Sequence, residues 1–282
     1  MAEPMGFFTD VSVCIGCKAC EVACKQWNQL SANEGGAPQL SGNSYDNTRT
    51  LDGNTWRHVR FVEDFSDDEN RTQARWLMMS DVCKHCVQAG CLEACPTGAI
   101  IRTEFDTVVI QADVCNGCRA CIPACPFDVI EINPVNNTAM KCTLCYDRLQ
   151  AGMVPACAQA CPTDSIQFGP VRELRERADV RLQELQDRGV EDASIYGREE
   201  MLGGLNAFFL IEGPPEWYGL PEDPKLPSSN NLAGEGIFAA ISGVVLAVMG
   251  AISFRKLGPS RRAAEAERMN ADSTNDTSRP QA

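Results

Sequence analysis

The stretch Asp113–Ile130, DVCNGCRACIPACPFDVI, decides how the chain reads. It sets Cys115, Cys118, Cys121 and Cys125 at the spacing C-x2-C-x2-C-x3-C and follows the last with Pro126. Three cysteines on one tight loop can seize three irons of a single cubane. The fourth, held further along and turned away by the proline, ligates a neighbouring cluster instead. The run therefore predicts a pair of iron–sulfur sites, and with it a second set of ligands elsewhere in the chain.

Three more groups of cysteines supply it: Cys14, Cys17, Cys20 and Cys24; Cys83, Cys86, Cys91 and Cys95; and Cys142, Cys145, Cys157 and Cys161. All sixteen cysteines of the 282-residue chain fall into these groups and none is left over. A chain of this length does not need disulfide staples to fold. Structural zinc sites pair short C-x2-C knuckles from separated segments, so close triplets of cysteines are wrong for them. The first group repeats the Asp113–Ile130 spacing with Lys25 where the proline would stand, so the following KQWNQL can continue as a short helix. The second group widens one gap to four residues and the fourth opens its middle gap to eleven, long enough to return as a loop.

An internal repeat points to one architecture. Cys95-Pro96, Cys125-Pro126 and Cys161-Pro162 each lead to an isoleucine five residues after the cysteine, at Ile100, Ile130 and Ile166. Asp81 and Asp113 stand two residues before Cys83 and Cys115 and read as turn or packing positions of the same unit. The fold class expected is α+β: two ferredoxin-like double-cluster modules with loop insertions, plus one C-terminal transmembrane helix. Ligand exchange then gives four sets for four 4Fe-4S clusters. Within the inner module, Cys83, Cys86 and Cys91 take Cys125, while Cys115, Cys118 and Cys121 take Cys95. Within the outer module, Cys14, Cys17 and Cys20 take Cys161, while Cys142, Cys145 and Cys157 take Cys24.

The boundaries follow composition. Residues 1–169 form the four-cluster domain, with the outer module from 1–30 and 140–169 and the inner module from 80–135. Residues 31–55, rich in Ser, Asn, Gly and Thr, read as a long surface loop. WRHVRFVEDF and TVVIQADV have the content of strands, and His58 in the first is a surface or packing histidine. Residues 170–230 supply a helix opened by Pro170 and stopped at Gly189, a strand at LNAFFLIE, and a proline-rich extended connector packing on the cluster domain. Residues 231–257 are a transmembrane anchor and 258–282 a disordered cytoplasmic tail. Within the anchor, Gly236–Phe254 has no charged residue and as a helix spans roughly 28 Å, close to the hydrocarbon thickness. Arg255, Lys256, Arg261 and Arg262 follow it closely against Lys225 alone before it, which puts the tail in the cytoplasm and the cluster domain on the far side.

Nothing in the sequence resembles a substrate site: no nucleophile–base pair, phosphate-cradling loop or dinucleotide fingerprint stands out. A net charge of −13 argues against a nucleic-acid partner. The expected role is non-catalytic electron transfer. Lys18, Lys25, Lys84, His85 and Lys141 lie within or beside the ligand loops, where a cation favours the reduced, more negative cluster and raises its potential. A freestanding polyferredoxin, its apolar run only core, is the alternative outside membrane complexes.

The motifs FFTDVSVCIGCKACEVACKQWN, CKHC with CLEACPTGAI, CNGC with CPFDVI, KCTLCYDR with PACAQACPT, and YGLPEDP before a single terminal span carry a resemblance. Together they resemble the iron–sulfur (beta) subunit of membrane-bound respiratory formate dehydrogenases, over nearly the whole chain. The cysteine pattern alone is shared with the electron-transfer subunits of other molybdopterin oxidoreductases acting on sulfur or nitrogen oxides. Respiratory nitrate reductase beta subunits put a tryptophan in place of one ligand, whereas every ligand here is cysteine. The resemblance implies a catalytic alpha subunit bearing a molybdenum or tungsten bis-pterin that oxidises formate. It also implies a membrane cytochrome b (gamma) subunit that receives the electrons and reduces quinone. By the same analogy, the cluster of Cys14, Cys17, Cys20 and Cys161 faces the catalytic subunit. MAEPMGFFTD shows neither a basic nor an apolar leader, so any export runs through another polypeptide; the resemblance implies a folded chain exported alongside a twin-arginine-tagged partner.

Overall fold

Strand β1 (Met5–Asp10) is apolar enough to be buried on both faces, and the chain uses it as the middle of a sheet rather than an edge. In the computed structural model, which describes residues 3–31, 46–48, 50–64, 75–228, 240–253, 255 and 263–269, it leads directly into the first cysteine loop. Helix α1 (Ala19–Trp27) then carries Cys20 and Cys24. The chain continues through β2 (Arg57–Asp64), β3 (Arg75–Val82), α2 (Gly90–Glu93), β4 (Ile100–Arg102) and β5 (Val108–Ile110). There follow β6 (Glu131–Ile132), β7 (Ala139–Met140), α3 (Tyr146–Gln150) and α4 (Ala156–Gln159). The last elements of this unit are β8 (Ile166–Pro170), α5 (Val171–Asp187), β9 (Ala193–Tyr196) and β10 (Ala207–Glu212).

Three antiparallel hairpins, β2–β3, β4–β5 and β6–β7, separate the cysteine loops, and a four-stranded sheet of order β8-β1-β10-β9 braces them. β1 runs parallel to β10 and antiparallel to β8. Phe7, Phe8, Phe208 and Phe209 are fully buried in it, with Phe8 stacked on Phe208 at 5.5 Å between centroids. α5 lies on this sheet by Leu174, Ala178 and Leu185, the residues its 3.6 periodicity sets on one face.

The strands expected at WRHVRFVEDF and LNAFFLIE form as β2 and β10, and the helix expected after Gly169 forms as α5. Pro170 takes the N-cap rather than the first helical position. Ile100, Ile130 and Ile166 are all buried and sit at or beside the starts of β4, β6 and β8, the packing role that their spacing suggested. Asp81 and Asp113 part company: Asp81 is buried with Lys84 and Arg60, while Asp113 is exposed.

Two readings change. Of the polar stretch 31–55, residues 32–45 and 49 lie outside the described residues, but the end of it turns inward: Leu51, Asn54 and Thr55 are buried, and Asp52 bridges to Thr55. Polar composition gave no sign of this, because Asn54 spends its polarity internally: its Oδ1 accepts from Asn133 Nδ2 (3.5 Å) and its backbone carbonyl from Lys25 (2.8 Å). The proline-rich connector packs on the cluster domain as expected, but Pro215–Tyr218 winds into a short 3-10 helix instead of running extended. Tyr218 is buried and its hydroxyl donates to the Glu212 carbonyl at 2.8 Å.

The chain divides into two units, Met1–Pro227 and Ser228–Ala282. In the second, residues 240–253 are helical and expose Ile241, Val244, Val245, Leu246, Val248, Met249 and Ile252. No helix among the described residues is long and apolar enough to cross a membrane. The expected span Gly236–Phe254 lies partly outside those residues, since 236–239 and 254 are not described.

Candidate metal centres

Every cysteine loop contains the same backbone device. The third position of each C-x-x-C lies in the left-handed region: Gly16 (φ 64°), His85 (φ 44°), Gly117 (φ 70°) and Leu144 (φ 57°). Such a turn aims successive backbone N–H groups into one concavity, suited to anionic sulfur. The Leu144 N–H donates to Cys142 Sγ at 3.3 Å, and the Gly16 N–H likewise bonds Cys14.

The last two cysteines of each group are four residues apart, and Cys20–Cys24, Cys91–Cys95 and Cys157–Cys161 are carried on or just after α1, α2 and α4. At this spacing two side chains share one helix face about one turn, or ~6 Å, apart. One can therefore serve the site of its own loop while the next reaches an adjoining site. Where proline follows the fourth cysteine, at Cys95 and Cys161, the helix ends before it; where Lys25 follows Cys24, α1 runs on to Trp27.

The side chains gather in four sets. A small cavity of about 20 Å³ is lined by Cys14, Cys17, Cys20 and Cys161 together with Ser80, Thr163 and Ser165. Cys24 lies in the field of Cys142, Cys157 and Cys145. Cys86 is surrounded by Cys83, Cys125 and Cys91, and Cys121 by Cys115, Cys118 and Cys95. Neighbouring sets lie within electrostatic reach of one another in series, through Cys20 with Cys157, Cys142 with Cys83, and Cys91 with Cys121.

All sixteen cysteines are free thiols, and among the described residues no three His, Cys, Asp or Glu side chains close on a single ion. Sets of four thiols with no other ligand type among them fit a four-iron cubane. Away from the exposed Cys17 and Cys118, burial pushes the thiols of Cys20, Cys142 and Cys91 up to about 12. A buried thiolate needs compensating positive charge, which iron and nearby cations supply.

The five candidate tuning residues take different places. Lys141 is buried, its Nζ donating to the carbonyls of Val108 and Cys142 (the latter 3.1 Å), and it faces Cys83, Cys91 and Cys142. Lys84 is buried against Asp81, over the rings of Phe127 and Phe209, beside Cys86 and Cys125. His85 is held neutral: burial, then the charges of Lys141, Arg102 and Arg57, push its pKa well below the usual range. Its Nδ1 accepts from the Val108 N–H at 3.1 Å, so any proton resides on Nε2. Lys18 pairs with Glu21 (3.3 Å) and Asp46 (3.1 Å), and Lys25 donates to the carbonyls of Asn54 and Ser31. His58 is buried between the same Glu21 (3.4 Å) and Asp46 (3.3 Å).

Three side chains at the thiols escape a reading of spacing alone. Thr97 and Thr163 set their hydroxyls 3.7 Å and 3.8 Å from Cys95 and Cys161, and the repeated C-P-T was the available signal. Arg57 is 1 % exposed and reaches four thiols of two sets from a strand far from any of them in sequence.

Comparison with known proteins points to the same cofactor. Two models, each described as a 4Fe-4S dicluster domain, match residues 13–99 and 74–171. Two dicluster matches and sixteen thiols account for four 4Fe-4S clusters. The iron–sulfur subunit of the nitrate-inducible formate dehydrogenase of Escherichia coli K12 is 37 % identical over 89 % of this chain and 85 % of its own length. The formate dehydrogenase-O iron–sulfur subunit of the same organism is 36 % identical over 98 % of this chain and 91 % of its own. A component polypeptide of the anaerobic dimethyl sulfoxide reductase of that organism is 36 % identical over 55 % of this chain and 68 % of its own.

Proposed function

Because the chain belongs to the iron–sulfur subunits of formate dehydrogenase, we propose that it is the electron conduit between a formate-oxidising subunit and a quinone-reducing membrane subunit. When bound, each 4Fe-4S cluster accepts and releases one electron at a potential set by hydrogen bonds, charge and burial. The chain's own part is to hold four of them in a row and keep water out.

The observation that carries this reading is the serial proximity of the thiol sets, each within electrostatic reach of the next. We assign Cys14, Cys17, Cys20 and Cys161 to the first site and Cys24, Cys142, Cys145 and Cys157 to the second. Cys83, Cys86, Cys91 and Cys125 make the third, and Cys95, Cys115, Cys118 and Cys121 the fourth. Cys17 and Cys118, the two exposed cysteines, belong to the end sites, where electrons must cross to other proteins. Lys84 and Lys141 place charge beside the interior sites, favouring the reduced state there.

The partners proposed are a molybdenum- or tungsten-bis-pterin catalytic subunit at the first site and a cytochrome b subunit at the fourth. The exposed apolar helix 240–253 supports an anchor in the lipid bilayer, with the cluster domain outside and the C-terminus in the cytoplasm. Protease reaching the cluster domain only from the cytoplasmic side would overturn this orientation.

Paired substitutions test the ligand exchange. Cys125→Ala is expected to abolish the site of Cys83, Cys86 and Cys91, and Cys95→Ala that of Cys115, Cys118 and Cys121. Each variant should lose about four irons per chain. Loss of each cysteine's own loop site, read by EPR, would reverse the assignment. The match to the dimethyl sulfoxide reductase component favours one second reading, service to another oxidoreductase. Formate-dependent dye reduction by the co-purified complex separates the two.

A further inference from the structure

Between the first and second thiol sets lies a charge that no cysteine spacing announces. Arg57, on β2, is 1 % exposed, and a guanidinium cannot shed its proton to escape burial. Its Nη1 donates to Ser80 Oγ at 3.0 Å, and Ser80 Oγ stands 3.2 Å from Cys20 Sγ. Its Cζ lies 4.7 Å from the centroid of the buried Phe7 ring, which fixes the plane of the fork. Nε and Nη2 are buried with no protein partner. Orphaned donors on a buried cation are among the costliest features a fold can carry. Cys20 belongs to the first set and Cys24, Cys142 and Cys157 to the second, and all four act on the guanidinium.

We propose that Arg57 is a positioning residue shared by the first two clusters, donating Nε–H and Nη2–H to their sulfur atoms and holding both couples up together. The inference rests on the assignment of the first and second sites made above. Added electrons make each cluster more negative, and two reduced neighbours repel one another. One fixed positive charge lying between them stabilises both reduced states and offsets that repulsion. The planar fork can serve two acceptors at once, which a single ammonium cannot do with the same geometry.

The test uses the whole complex, purified without oxygen, with iron and sulfide counted and each couple followed by potentiometric EPR. In Arg57→Gln the couples of the first two clusters should fall. At the potential where each is half reduced in the native complex, its reduced-to-oxidised ratio should drop at least tenfold, about 59 mV for one electron. The third and fourth couples should stay in place. Arg57→Lys keeps the charge but not the fork, so the same two couples should move the same way by less. If Arg57→Gln fails to load iron, Arg57→Lys decides alone. Unmoved couples in a loaded variant, or an equal shift of all four, overturn the proposal, since a merely structural arginine would lower stability without selecting two couples. A native complex lacking four clusters would instead overturn the site assignment.

Discussion

The end loops and the interior loops reach the same backbone turn by opposite means. At Gly16 and Gly117 the left-handed residue is glycine, and the cysteine after it, Cys17 or Cys118, is exposed. At His85 and Leu144 the same position holds a side chain that is 0 % exposed. A non-glycine residue there costs ~1–2 kcal/mol in backbone strain, while burying a leucine returns ~1.5–3 kcal/mol. Where the loop faces the interior, burial wins and the strain is tolerated. In the end loops a Cβ would lie 2.7 Å from the Phe61 ring at Gly16 and would collide with the Asn137 carbonyl at Gly117, so no side chain fits and glycine takes the position. Chemistry thus fixes the turn, and surroundings choose the residue that makes it.

The sharpest way to break this comparison is Leu144→Gly. Relief of strain is outweighed by the cavity, which for leucine truncations costs ~2–5 kcal/mol, so a net loss of about 2–4 kcal/mol is expected in denaturant unfolding of the loaded chain. A more stable variant would show that strain, not burial, governs the interior loops. Gly117→Ala comes next. It adds strain, and its methyl would collide with the backbone carbonyl of Asn137, for about 2 kcal/mol in all, with iron lost first from the site of Cys115, Cys118 and Cys121. Gly98→Ala supplies the smallest effect and the calibration. Gly98 has φ 68° with nothing within 4 Å of a methyl, so strain acts by itself, at about 1 kcal/mol. Equal losses at Gly98 and Gly117 would mean that the Asn137 carbonyl yields without cost.

The sequence made the thiols legible because ligand spacing is local: the four groups, their proline stops and their isoleucine strands lie within short windows. β2, β10 and α5 were legible by the same logic, each carrying its own periodicity. The sheet that braces the loops was not. Phe7 pairs with Ala207, and nothing in MGFFTD or AFFLIE states which strand the other will meet. Arg57 was hidden for a related reason. In RHVRFVED an arginine beside a histidine reads as an outward face, yet both are buried because four thiols on one side and two carboxylates on the other receive them. Asp81 and Asp113 occupy matching places in the repeat, and only the presence of Lys84 and Arg60 takes the first inside.

The parallel embrace of β1 by β10 imposes a timetable on biosynthesis. The first strand to leave the ribosome waits for a partner that emerges some two hundred residues later, at Ala207–Glu212. By then every thiol from Cys14 to Cys161 has long been available. All sixteen ligands are thus made before the sheet that braces them can close, and β1 stays without its parallel neighbour until the last cysteine is out.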